Sequence, residues 1–183
     1  LGQESGVPSG TIFDLFGDET HVWIGSSKGL SRIERSTLRE DQLGIEQYFS
    51  NLSVYDIESI NNNIWLGTSM GLFIYSKNNP NVLSYSNIGR KNFPQELRHV
   101  SIIKQYDDLI YLVSEFGIVR FDIQSKEWDM IFTSDIYHDK TVFSMEVNKK
   151  YLFLGLENGL VRINKKTGLI RDYNYPFIGQ VNE

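Results

Sequence analysis

Two histidines lie where side chains could do chemistry. His99 and His138 each precede an apolar stretch, with Glu96 near the first and Asp135 and Asp139 near the second. Imidazole and carboxylate groups together can bind a divalent metal or transfer a proton. The same residues are also common in solvated loops, where they have no such role. The sequence therefore keeps catalysis by His99 and His138 as a minority hypothesis, and it predicts a protein that is not an enzyme, with no bound metal and no cofactor.

Composition excludes several other kinds of site. The chain has 183 residues, of which 40% are hydrophobic, a formal net charge of −5 and no cysteine. Without cysteine there are no disulfides, thiolate metal sites or cysteine nucleophiles. An acidic balance without basic runs argues against nucleic acid as a partner. No apolar stretch approaches the ~20 residues of a membrane span, so we expect no membrane insertion by this segment.

The elements that must position any site are copies of one repeat. Its core is a short apolar strand, a tight turn that ends in glycine, and a second strand. The four copies read VWIGSSKGLSRI, IWLGTSMGLFIY, IYLVSEFGIVRF and LFLGLENGLVRI, and their turn glycines are Gly29, Gly71, Gly117 and Gly159. An apolar segment precedes each core at a constant distance, and a weaker one follows it. Four short antiparallel strands every ~40–50 residues are typical of a propeller blade.

The sequence therefore predicts an all-β fold, a β-propeller of four-stranded antiparallel blades. Four blades are visible, at about residues 8–50, 51–93, 94–137 and 138–177, in a single domain that spans 1–183. Four blades in an open array would leave two blade faces uncovered. We therefore expect part of a larger propeller, closed by remaining blades or by a second copy. A compact four-bladed ring is the alternative.

The residues that stay constant between copies are predicted to build the fold. Large rings at one repeated position are expected to pack between blades: Trp23, Trp65, Tyr111 and Phe153. Glycines two positions later would let the next blade approach closely: Gly25, Gly67 and Gly155. The turn glycines Gly29, Gly71, Gly117 and Gly159 suit a positive φ in a hairpin turn, for which a three-residue loop is expected. The third copy has Val113 in place of a close-approach glycine.

The residues that differ between copies are the candidates for ligand binding. Propeller ligands usually meet the face built by the loops before the first strand and between the second and third strands. Exposed residues there could recognise an oligosaccharide, a peptide or a protein: Lys28, Met70, Arg98, Glu115, Phe116, Glu157 and Asn158. Each could equally be an ordinary solvated turn residue.

Three further polar residues carry weaker signals. Asp14 and Asp56 align on the first strands of their copies, where paired acids could hold a cation. Because the other two copies have Ile102 and Ser144 there, a backbone-capping or turn role is the preferred interpretation. His21 is expected on the opposite face, without a role.

The first copy, GVPSGTIFDLFGDETHVWIGSSKGLSRIE, resembles the two-component regulator propeller repeat, whose units read roughly W-I-G-T-x-x-G-L after an acidic or Asn-rich turn. The resemblance implies a periplasmic or extracellular propeller. Its leading functional implication is a non-enzymatic module that senses a ligand or binds a protein in signal transduction. The alternatives are a lyase-like or hydrolase-like propeller enzyme and a structural interaction module of a surface or secretion assembly.

Overall fold

The computed structural model describes residues 10–37, 45–76, 97–136, 141–157 and 159–173, which form four antiparallel sheets. The first sheet contains β1 (Ile12–Gly17), β2 (His21–Ser26), β3 (Gly29–Glu34) and β4 (Ile45–Tyr48). The second contains β5 (Val54–Ile60), β6 (Asn63–Thr68) and β7 (Gly71–Ser76). The third contains β8 (Ile102–Tyr106), β9 (Leu109–Ser114), β10 (Gly117–Asp122) and β11 (Trp128–Thr133). The fourth contains β12 (Val142–Val147), β13 (Tyr151–Leu156), β14 (Gly159–Asn164) and β15 (Ile170–Tyr173).

This architecture confirms the predicted all-β propeller fold, with each sheet forming one blade. Strands follow chain order within every sheet, and the first strands of successive blades, β1, β5, β8 and β12, pack side by side along the inside of the array. The predicted outer strand of blade two, NVLSYS at 81–86, lies outside the described residues. Single 3-10 turns at Arg35–Thr37 and Ser134–Ile136 were not expected from the sequence.

The turn between the second and third strands of a blade is tighter than expected. Ser26 pairs directly with Gly29, so the loop contains two residues, not three. Gly29 has a φ of 111°, a conformation that glycine adopts without strain. The buried Ser26 hydroxyl closes the turn by donating to the Gly29 carbonyl (3.0 Å) and accepting from the Lys28 N–H (3.1 Å).

Blades two and three repeat this hydroxyl latch. Thr68 donates to the Gly71 carbonyl at 2.8 Å, and Ser114 donates to the Gly117 carbonyl at 2.9 Å. All three latch side chains are buried, so each hydroxyl satisfies a backbone group that water reaches poorly. Blade four has Leu156 at this position, and its side chain cannot make the bond.

Aromatic rings and glycines form the junctions between blades. The Trp23 ring meets Tyr75 of blade two edge-on, with centroids 5.3 Å apart, and Trp65 lies 5.8 Å from Phe121 of blade three. A Cβ on Gly25 would lie 2.9 Å from the carbonyl oxygen of Val54 in blade two. Gly67 has the same relation to Val100 of blade three, at 2.8 Å. At these two junctions the missing Cβ lets the backbone of the next blade approach the glycine closely.

The Asp14 and Asp56 carboxylates form hydrogen bonds between blades. Asp14 Oδ2 accepts from the backbone N–H of Ile57 in blade two at 2.8 Å. Asp56 Oδ2 accepts in the same way from the N–H of Ile103 in blade three. Each carboxylate therefore satisfies a donor on the inner edge strand of the next blade, and so stabilises the junction.

Candidate functional site

Hydrogen bonds gather the candidate ligand-binding loops at one end of the blades. The Ser27 N–H donates to the Thr11 carbonyl (2.9 Å) in blade one, and the Ser69 N–H donates to the Ser53 carbonyl (3.0 Å) in blade two. The Glu115 N–H donates to the Arg98 carbonyl (3.3 Å) in blade three. We call this end the loop face; in the described residues it comprises 10–11, 51–53, 97–101 and 141 and the turns 27–28, 69–70, 115–116 and 157.

The loop face carries most of the candidate residues. Its exposed side chains are Lys28, Met70, Arg98, His99, Glu115 and Glu157, whereas Phe116 is half-buried. Asn158 and His138 lie outside the described residues, and so do Glu96 and Asp139, so the catalytic pair stays an untested prediction. His21 begins β2 at the other end of the blade, with its Nδ1 2.7 Å from the Thr20 hydroxyl.

A cavity of about 200 Å³ opens on the loop face between blades three and four. Its lining combines an imidazole, hydroxyls and a carboxylate with two valines, and consists of His99, Ser101, Val113, Ser114, Glu115, Thr141 and Val142. Polar groups that converge above a small apolar floor are typical of ligand sites. Of these residues, only His99 and Glu115 were candidates from the sequence.

Two departures from the repeat explain why the cavity lies at this junction. Val113 replaces the close-approach glycine of blades one and two, so this junction has a side chain where Gly25 admits the backbone of Val54. Ser101 stands where the other copies have Phe13, Tyr55 and Phe143. A side chain at Val113 and a small residue at Ser101 together leave the cavity at this junction. Both departures are visible in the sequence, but only the fold shows that they face each other.

An aromatic row leads from the first strands of blades one and two to His99 on the loop face, beside this cavity. The Phe13 and Tyr55 rings lie 5.2 Å apart, and the Tyr55 and His99 rings lie 4.8 Å apart, so the row spans blades one to three. His99 holds a φ of 47°, which turns its backbone into the left-handed region between Arg98 and the buried Val100. The row ends at the cavity, because His99 belongs to both.

The partly buried acids of the inner strands are separate from this site. Burial, reinforced by the neighbouring Asp14 carboxyl and opposed by the Ile103 hydrogen bond, raises the pKa of Asp56 to about 7. Burial also raises the pKa of Glu58, against the opposing effect of Lys104. Within the described ranges, no group of three histidine, aspartate or glutamate side chains is placed to hold a metal ion.

A second cleft, of about 310 Å³, lies between the outer parts of blades three and four. Lys165 crosses it with its ammonium 4.5 Å from the Tyr106 ring centroid and 5.4 Å from that of Tyr111. Burial lowers the pKa of Lys165, while Asp107 opposes the shift. Cation–π contacts of this kind stabilise a blade junction, and the cleft contains none of the ligand-binding candidates from the sequence.

No family model matches the chain, and no curated protein matches it by sequence. Solved structures do match. The extracellular domain of the hybrid two component system BT3049 from B. thetaiotaomicron superposes with a TM-score of 0.70 at 16% identity, over 94% of this chain and 26% of that one. PorZ, a surface component of the type-IX secretion system of Porphyromonas gingivalis, gives 0.58 at 18% identity, over 90% and 21%. The Neurospora crassa Pan2 WD40 domain gives 0.61 at 9% identity, over 91% and 50%.

These similarities show the propeller fold. The chain spans about a quarter of the BT3049 domain and about a fifth of PorZ, so it corresponds to a part of each. The described residues contain no helix with the length and apolar character needed to cross a membrane.

Proposed function

We propose that this chain is a non-enzymatic, extracytoplasmic propeller module that senses or binds a ligand through its loop face. The observation that carries the proposal is the cavity between blades three and four at the end of the aromatic row. Its lining includes Ser101 and Val113, the two residues at which the third copy departs from the repeat. The residues that are constant between copies build the fold. A change from the repeat that opens a polar cavity therefore favours a role in binding.

The size of the cavity indicates the class of ligand. Sites for whole small molecules usually occupy ~300–1,000 Å³, and this one measures about 200 Å³. It suits one sugar ring or one side chain of a longer ligand. The remainder of an oligosaccharide or peptide would lie along Tyr55 and Phe13, whose partly exposed rings offer flat apolar surface. Glu115 and His99 would supply the polar contacts at the cavity mouth.

An extracytoplasmic location is supported by the structural matches to an extracellular domain and to a bacterial surface component. The proposal that the module has no enzymatic activity rests on the position of His99. Its ring lies against that of Tyr55 at an interplanar angle of 45°, and the described residues near it offer one carboxylate, Glu115, in the same cavity. A catalytic alternative would use His99 as a base.

The experiment that tests the binding site replaces Ser101 by the aromatic residue that other copies have at this position. Ser101→Phe introduces the residue that Phe13 and Phe143 supply in other copies, so the fold should accept the ring while the cavity is filled. Oligosaccharide and short-peptide arrays, followed by calorimetry on any ligand found, should show binding to the wild type and at least tenfold weaker binding to Ser101→Phe. Asp129→Ala, on the outer cleft, is the matched control and should bind normally.

Three results would overturn parts of this proposal. Undiminished binding to Ser101→Phe would move the site away from the cavity. Failure of the whole wild-type panel to bind would favour a structural interaction module. Chemical turnover of a bound ligand by the wild type, abolished in His99→Ala, would establish the enzyme alternative.

A further inference from the structure

The outer cleft between blades three and four has walls from both blades. Blade three contributes Tyr111, Arg120 and residues 129–132, and blade four contributes Lys165 and Gly168 from the turn between β14 and β15. A Cβ on Gly168 would meet no atom within 4 Å, so the cleft is open beside that glycine. Its volume of about 310 Å³ exceeds that of the loop-face cavity and reaches the ~300–1,000 Å³ of sites for whole small molecules.

The corresponding part of the preceding junction is filled by aromatic rings. Phe121 and Trp128 pair across β10 and β11 with their ring centroids 4.6 Å apart. The Phe121 ring also lies 5.8 Å from that of Trp65 in blade two. Blade four pairs Ile163 with Ile170 at these positions. Ile170 is 40% exposed, whereas Trp128 is 2% exposed, so the outer part of blade four lacks the aromatic pair that fills the preceding junction.

Lys165 is a second difference between the two junctions. Its N–H donates to the Lys150 carbonyl, as the N–H of Ile123 donates to the Asp108 carbonyl in blade three. The two residues therefore occupy the same position of the repeat. Ile123 packs against the core between blades two and three. Blade four thus has a positive charge at a position where blade three has an apolar side chain.

The cleft contains more positive than negative charge, although the formal net charge of the chain is −5. Arg120 already forms an ion pair with Asp129, with Nη2 and Oδ2 2.9 Å apart. Among the described residues, no carboxylate lies within 4 Å of Lys165 Nζ, and Asp107 attracts it from farther away. Burial outweighs this attraction and lowers the pKa of Lys165. An anionic ligand would compensate this ammonium for the water it has lost.

The outer strand of blade three has a β-bulge beside the cleft. Along β10, the consecutive residues 118 and 119 pair with Phe132 and Met130, so Ile131 is an extra residue. The pairing of β4 and β15, the described outer strands of blades one and four, is regular. Bulges of this kind change the direction of neighbouring side chains and are common beside functional sites. All three residues of the bulged segment line the cleft.

We propose that the outer cleft binds a small organic acid with one carboxylate and an apolar body. Lys165 would pair with the carboxylate, and the body would lie against Met130 and Phe132. One negative charge is sufficient, because Asp129 already neutralises Arg120. The cleft shares no residue with the cavity on the loop face, so this proposal stands independently of the proposed function.

The first test compares acids with uncharged analogues. Phenylacetate and hexanoate are the probes, and 2-phenylethanol and hexanol are their controls. Titration followed by saturation-transfer NMR should show that the wild type binds both acids at least tenfold more tightly than the alcohols. Absence of acid binding, or equal affinity for acids and alcohols, would overturn the proposal. N-acetyl-Glu-Phe-amide offers the same groups within a peptide and should bind more weakly than phenylacetate. Tighter binding of the peptide would assign the cleft to a protein segment instead.

The second test uses two variants with opposite expected effects. Lys165→Ile introduces the residue that blade three has at this position and should weaken phenylacetate binding at least tenfold. Asp129→Asn removes the carboxylate of the cleft and releases Arg120, so it should strengthen binding by about threefold. Unchanged affinity of the first variant, or weaker binding by the second, would exclude the site.

Two control variants separate this site from other parts of the chain. Lys126→Ile removes a lysine that also lies over an aromatic ring, 5.9 Å from the Phe121 centroid, but outside the cleft. Ser101→Phe fills the cavity on the loop face. Both should bind phenylacetate like the wild type, and circular dichroism verifies that every variant is folded. Loss of phenylacetate binding in Ser101→Phe would place the acid on the loop face and overturn the assignment to the outer cleft.

Discussion

The Asp14 carboxylate accepts a hydrogen bond from the backbone N–H of Ile57, 43 residues further along the chain and one blade away. The Asp56–Ile103 pair repeats this bond at the next junction. At the third junction the acid is replaced by Ile102, whose side chain cannot accept a hydrogen bond. The first two junctions therefore have a carboxylate hydrogen bond between blades, whereas the third has no acid at this position. The cavity lies at the third junction.

Asp14→Ala should destabilise the fold by about 1–3 kcal/mol, because it leaves the partly buried Ile57 N–H without its acceptor. Urea unfolding measures the difference in stability between the variant and the wild type. Glu146→Ala removes an exposed carboxylate from a first strand and is the matched control. Equal effects of the two substitutions would contradict a specific role for the Asp14 bond.

The raised pKa of Asp56 predicts a pH-dependent loss of stability. The unfolded carboxyl titrates near 3.8 and the folded one near 7. Between these values the folded state holds the extra proton, so stability falls as pH rises through this window, by on the order of a few kcal/mol. Asp56→Asn keeps an acceptor for Ile103 and cannot ionise, so its stability relative to the wild type should increase from pH 4 to 7. If the free energies of unfolding of the variant and the wild type change with pH in parallel, the raised pKa is refuted.

Gly25→Ala and Gly67→Ala should each cost about 1–3 kcal/mol, because the added methyl group would meet a backbone carbonyl of the next blade at 2.9 and 2.8 Å. Gly17→Ala is the control, since its methyl group would meet only the flexible end of Arg35. Chemical unfolding of the three variants should separate the first two from the third. If Gly17→Ala loses as much stability as the other two variants, the close approach of the next blade is not the cause.

Thr68→Val should cost about 1–3 kcal/mol although the two side chains have nearly the same shape. The valine leaves the Gly71 carbonyl and the Met70 N–H without the hydroxyl that both now use. The same substitution at the exposed Thr133 should change stability by less than about 0.5 kcal/mol. If thermal and urea unfolding show no difference between the two variants, the latch contributes nothing measurable.

The fold was predictable because the repeat records it in local patterns. Gly29 and its equivalents mark the hairpins, and the spacing of the copies marks the blades. Three copies have a hydroxyl residue at the latch position, 26, 68 and 114. The latch itself could not be predicted, because its acceptor is a backbone carbonyl that the sequence does not identify. The three-residue turn expected before Gly29 was wrong because Ser26 itself pairs with that glycine.

The candidate site was less predictable, because it depends on residues that meet only across a junction. Glu115 and His99 were found as exposed loop residues, whereas Ser101 and Thr141 gave no signal alone. Aligning the copies shows that Ser101 replaces an aromatic ring and Val113 replaces a glycine. That both departures open the same space follows from the packing of blade four on blade three, which a single copy does not reveal.

The direction of the Asp14–Ile57 bond bears on how the array is built during synthesis. The acceptor lies in the earlier blade and the donor in the later one, and Asp56 and Ile103 follow the same order. A ribosome releases the acceptor first, so a completed blade already offers its carboxylate when the next inner strand emerges. The acceptor of each inter-blade bond is therefore synthesised before the donor with which it pairs.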